Sequence, residues 1–127
     1  LLMAEDNRTN QVVARRMLEK MGHAVDVVAD GRQALDQVGV QPYDCVLMDC
    51  QMPEIDGYEA TRRIRSGEVP GVDPRIPIIA LTAYAMAEDR LKCLQSGMND
   101  HVIKPVRIED LHEAFLRCGL PVGLGGA

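Results

Sequence analysis

Five times along this chain a short apolar run stops and gives way to a segment with helical spacing. The runs are Leu1–Ala4, Ala24–Val28, Cys45–Met48, Ile78–Leu81 and His101–Ile103. Short continuous apolar runs fit strands buried on both sides. Between them, residues 9–21 carry Val13, Met17 and Met21 at i, i+4 and i+8, with Ala14 and Leu18 beside them. Asp6 or Asn7 can cap this helix and Gly22 can stop it. A second helix follows Asp30-Gly31 with Ala34, Leu35 and Val38 inward, and a third covers residues 58–65. Ala87, Leu91 and Leu94 mark a fourth that stops at Gly97, and Leu111, Ala114, Phe115 and Cys118 line one face of a fifth. Strands alternating with helices predict a parallel sheet covered on both faces.

The chain has 127 residues, the size of one domain, and is 46% apolar, which fits a globular fold. It holds no Trp and one Phe, so the core must be aliphatic and Met-rich. The net charge of −5 offers no basic face for direct nucleic-acid binding and disfavours direct contact with an anionic membrane surface. No apolar run approaches the roughly 20 residues of a membrane span. The chain begins on Leu1, so its natural start is expected upstream. Cys45, Cys50, Cys93 and Cys118 show no C-x-x-C spacing and read as reduced thiols of a cytoplasmic protein, three of them packing as small hydrophobes. No redox role is expected for Cys50. Residues 119–127 lack period and charge and read as a flexible linker or tail, which leaves 1–118 as the domain.

Four of the five strands end on residues able to do chemistry. The first ends on Glu5-Asp6, the third on Asp49, the fourth on Thr82 and the fifth on Lys104. In an open parallel sheet, sites form outside the carboxyl ends of the strands, so these distant residues are expected to converge. Each has an ordinary explanation alone: an acidic pair caps a helix, a threonine turns a strand end, a lysine is solvated. Together they form a clamp. Clustered carboxylates need a proton or a cation, and a hard divalent ion with oxygen ligands suits them. A lysine and a hydroxyl beside such an ion suit a transferring phosphoryl group, with a carboxylate as nucleophile.

At these residues the sequence resembles the response-regulator receiver family of two-component signalling. The matching stretches are Ala4-Glu5-Asp6-Asn7, Val46 through Gly57 (VLMDCQMPEIDG), Ile76 through Ala83 (IPIIALTA) and Ile103-Lys104-Pro105. The resemblance implies a doubly wound, flavodoxin-like (βα)5 fold with strand order 2-1-3-4-5. It makes Asp49 the phosphorylated nucleophile, with phosphohistidine on a histidine kinase or phosphotransfer protein as donor. It assigns Mg²⁺, with Mn²⁺ as alternative, to Glu5, Asp6, Asp49 and the backbone carbonyl of Gln51. Lys104 and Thr82 would contact the phosphoryl oxygens, and the Lys104–Pro105 bond would be cis. Thr82 and the residue at His101 would switch. There the family usually carries Tyr or Phe, and histidine is smaller and able to titrate near neutrality. Gln51 and Tyr84 would tune the lifetime of the phosphorylated form. The downstream partner would read the face of helix four, strand five and helix five, near Met86–Leu94 and His101–Leu111. The wording of the first helix looks most like receivers of hybrid sensor histidine kinases, so the parent would be such a kinase, unless the receiver stands alone.

Two other classes fit less well. An Mg²⁺-dependent phosphohydrolase with an aspartyl nucleophile commonly carries a second carboxylate two residues on, where this chain has Gln51. A flavodoxin-like binding module would need a phosphate-cradling loop of Ser, Thr and Gly after strand one, where Glu5-Asp6 would repel a phosphate.

Overall fold

The computed structural model describes residues 1–83 and 86–119, so Tyr84 and all but the first residue of the expected tail lie outside the described residues. The elements run β1 (Leu2–Ala4), α1 (Arg8–Lys20), β2 (Asp26–Val28), α2 (Gly31–Val38), β3 (Val46–Asp49), α3 (Gly57–Arg65), β4 (Ile78–Thr82), α4 (Ala87–Ser96), β5 (Asp100–Ile103) and α5 (Ile108–Arg117). The five strands form one parallel sheet, as their alternation with helices predicts, in the order β2-β1-β3-β4-β5 that the resemblance implies.

Strand side chains alternate between faces, and the core splits accordingly. Leu2, Ala4, Val46, Met48, Ile78 and Ala80 pack with Ala34, Leu35, Val38, Ala60, Ile64 and Cys93 of α2, α3 and α4. Met3, Leu47, Ile79, Leu81 and Val102 pack with Ala14, Leu18, Leu111, Ala114 and Phe115 of α1 and α5. Among the buried residues of the two layers, Tyr58 and Phe115 are the aromatic ones. Local chemistry sets the helix starts. Asn7, Asp30 and Asp56 each place a side-chain oxygen on the backbone N–H three residues on, at 3.0, 2.8 and 2.8 Å.

Two apolar stripes face differently from their spacing. In α1 the buried line is Ala14, Leu18 and Met21, while Val13 is exposed. A helix turns in 3.6 residues, so an i, i+4, i+8 series drifts off the face that i, i+4, i+7 holds. In α4 the buried residues are Cys93 and Ser96, while Leu91 and Leu94 are 54% and 49% exposed. This helix lies against α3 and β5 through small side chains and turns its larger apolar ones outward.

Candidate active site

The carboxyl ends of β1, β3, β4 and β5 sit side by side and carry Glu5, Asp49, Thr82 and Lys104. Glu5 prolongs β1 by one residue, its N–H donating to the Val28 carbonyl at 3.0 Å. Its side chain turns inward, leaving the residue 1% exposed, while Asp6 stays exposed. The Gln11 amide, reaching back from α1, donates to the Glu5 carbonyl at 2.6 Å. Asp49 is the last residue of β3 and 3% exposed, and its Oδ1 accepts the Gln51 backbone N–H at 3.2 Å. A Cβ on Gly57 would stand 2.2 Å from the Asp49 carbonyl oxygen, so only glycine lets α3 begin this close to the strand end.

Lys104 reaches both buried carboxylates: its Nζ lies 3.0 Å from Glu5 Oε1 and 3.0 Å from Asp49 Oδ2. Its backbone N–H donates to the Thr82 carbonyl at 2.7 Å, and the Lys104–Pro105 bond is cis. Thr82 is buried at the end of β4, in register with Ile103. Oxygens of Glu5, Asp6 and Asp49 lie within 4.8 Å of one another. The structure thus brings Glu5, Asp6, Asp49 and Lys104 together at one end of the sheet. His101 stands outside it, half-buried on β5, with Nδ1 3.7 Å from Asp100 Oδ1.

The electrostatics are those of an acidic site short of positive charge. Burial, then the hydrogen bond and charge of Glu5, push the Asp49 carboxyl up to about 7. Burial also raises Glu5, but hydrogen bonds with Asp49 and Lys104 outweigh it and hold Glu5 below the usual carboxylate range. Burial disfavours the Lys104 ammonium, yet the two carboxylates leave its pKa raised. Three carboxylates against one ammonium leave two negative charges in reach of one point, which a divalent cation with oxygen ligands would balance. Glu5, Asp6 and Asp49 thus fit such an ion.

Sequence reasoning passed over Gln11. A glutamine in the second turn of a helix reads as surface, and only the fold shows it bracing the acidic loop. It also passed over the meeting of Cys50 with Cys93, two thiols from separate elements with Sγ atoms 3.8 Å apart.

A doubly wound sheet with an acidic, lysine-bearing cleft at its strand ends defines a site for a divalent cation and an anionic group. Residues 1–116 match the response regulator receiver domain family. The receiver domain of sensor histidine kinase PA1611 from Pseudomonas aeruginosa PAO1, solved with magnesium coordinated in its active site cleft, is 48% identical with a TM-score of 0.81. That match covers 93% of this chain and 95% of the other. The receiver domain of a Saccharomyces cerevisiae response regulator, solved with a histidine phosphotransfer signaling protein, is 30% identical with a TM-score of 0.79, over 90% of this chain and 84% of that one. Histidine kinase 1 of Arabidopsis thaliana is 41% identical in an alignment that covers 84% of this chain and 11% of that protein. This chain belongs to the response regulator receiver domain family, and is a receiver domain of two-component phosphorelay signalling. Receiver domains pair with histidine kinases or phosphotransfer proteins.

Proposed function

We propose that this domain accepts a phosphoryl group from phosphohistidine onto Asp49, in an Mg²⁺-dependent reaction. The observation that carries the reading is the buried Asp49 carboxylate at a strand end, with Lys104 Nζ at 3.0 Å and Glu5 and Asp6 beside it. An Asp49 oxygen attacks phosphorus as the phosphorus–nitrogen bond breaks, and the electron pair leaves with the donor imidazole. Lys104 meets the charge gathering on the phosphoryl oxygens, and the Thr82 hydroxyl donates to one of them. The side chains of Glu5, Asp6 and Asp49 and the Gln51 carbonyl would hold Mg²⁺, which supplies Lewis-acid charge to the same oxygens. The magnesium in the Pseudomonas receiver supports Mg²⁺, and no observation supports Mn²⁺. Slow attack of water on phosphorus returns the free Asp49 carboxylate.

The finer assignments extend this reading. Phosphate adds charge of about −1.5 to −2, and Thr82 and His101 would relay it to the face of α4, β5 and α5. Exposed Met86, Leu91, Leu94 and Ile103 give that face the apolar surface a downstream partner needs. Likeness to a far longer histidine kinase supports a parent hybrid sensor, with this domain on its cytoplasmic side. Four free cysteines agree with that compartment.

The test is incubation with Mg²⁺ and acetyl phosphate, read by intact mass. One phosphoryl group is expected per chain and none on Asp49→Asn. Label that persists in the variant at an unrelated residue overturns the assignment.

A further inference from the structure

The strongest feature outside the carboxylate cleft is a pair of thiols directly beneath it. Cys50 follows Asp49 in the chain, and Cys93 lies on α4. Their sulfurs are 3.8 Å apart, and the residues are 3% and 2% exposed. Cys50 belongs to the fixed frame. Its N–H donates to the Leu81 carbonyl at 3.0 Å, and its carbonyl accepts the Gly57 N–H at 3.2 Å. Cys93 belongs to a loosely held element. The α4 helix buries only Cys93 and Ser96, has no side-chain cap at Met86, and exposes Leu91 and Leu94.

We propose that Cys50 and Cys93 are an oxidation site, forming a disulfide with a peroxide as oxidant and so pinning α4 to the end of β3. A disulfide needs its sulfurs about 2.05 Å apart, so the two must close by less than the width of one atom. With Cys50 held by the sheet, the movement falls on α4. One thiol gives two electrons to the peroxide and becomes a sulfenic acid, releasing water or the alcohol. The second thiol attacks that sulfur, and the S–O bond breaks with loss of a second water. Either thiol can take the first step, since either sulfur can donate the hydrogen bond between them. Tyr58 packs beside the pair, and its ring is covered by Lys92 Nζ at 4.4 Å from the centroid, so peroxide enters when α4 opens. Once formed, the crosslink suppresses that opening.

The experiment needs neither phosphate nor metal, so its outcome is separate from that of the phosphoacceptor reading. The chain is treated with hydrogen peroxide without reductant, then digested under non-reducing conditions. A Cys50–Cys93 linked peptide is expected, with amide exchange across α4 slowed by about tenfold or more. Dithiothreitol should restore the original exchange. Cys93→Ser should lose the linked peptide and the slowing, while its reduced-state circular dichroism matches that of the parent. A linked peptide absent at full thiol loss, linkage through Cys45 or Cys118 instead, or slowing that survives in Cys93→Ser overturns the proposal.

Discussion

The Nζ of Lys104 sits 3.0 Å from Asp49 Oδ2 and equally close to Glu5 Oε1, so one ammonium serves two buried carboxylates. Removing it leaves both charges in a poorly solvated place. Lys104→Met is expected to destabilise the metal-free domain by about 2 kcal/mol in urea titrations. The same change removes a cation that competes for these carboxylates, so Mg²⁺ affinity should rise severalfold by calorimetry. Labelling by acetyl phosphate should nevertheless fall, because nothing then meets the phosphoryl charge.

The raised Asp49 carboxyl makes metal-free stability depend on pH. Its ordinary value is 3.8 and its folded value about 7, so the folded state binds the proton more tightly. That contribution is complete below 3.8 and is lost as pH rises through about 7. Glu5 shifts the other way, so its contribution changes only below its ordinary 4.5. Between about pH 5 and pH 8, stability in chelator should therefore fall by on the order of 1–3 kcal/mol. Asp49→Asn should flatten that slope, and Mg²⁺ should restore more stability at the higher pH. Urea titrations at both ends of the range check the sign.

The gathering of Glu5, Asp6, Asp49 and Lys104 was legible because each residue closes an apolar run and parallel topology brings such ends together, whereas the strand order came only through the family resemblance. The outward stripe of α4 was not legible. Spacing shows that Ala87, Leu91 and Leu94 share a side of a helix, but not which side meets the sheet. Here the small residues Cys93 and Ser96 do. Gln11 and the Cys50–Cys93 contact were hidden for a related reason, since each joins separate elements through a side chain with no periodic signature.

Glu5 and Asp6 test the cation site without touching the nucleophile. Glu5 is buried beside Asp49, and Asp6 is exposed at the mouth of the cluster. Glu5→Gln with Asp6→Asn removes two of three negative charges and keeps side-chain volume. Mg²⁺ affinity should fall by about a hundredfold or more, since a hard cation takes charged oxygens over amides. Calorimetry that finds unchanged affinity would remove the cation from this cluster.

Gln11 tests whether the acidic loop must be braced as well as charged. Its amide holds the Glu5 carbonyl at 2.6 Å, the one side-chain bond tying α1 to that backbone among the described residues. Gln11→Ala leaves every carboxylate in place but frees the loop to sample other positions. Stability should drop by about 1 kcal/mol, the net worth of one such hydrogen bond. Mg²⁺ affinity should weaken by about threefold to tenfold, because ligands no longer held in place must be ordered on binding. Gln37→Ala is the control: it loses a similar bond, Nε2 to the Tyr43 hydroxyl at 2.7 Å, on a helix that carries no cluster residue. It should cost comparable stability and leave Mg²⁺ binding unchanged. Equal loss of affinity in both variants would mean that general loosening, not the brace on Glu5, governs the site.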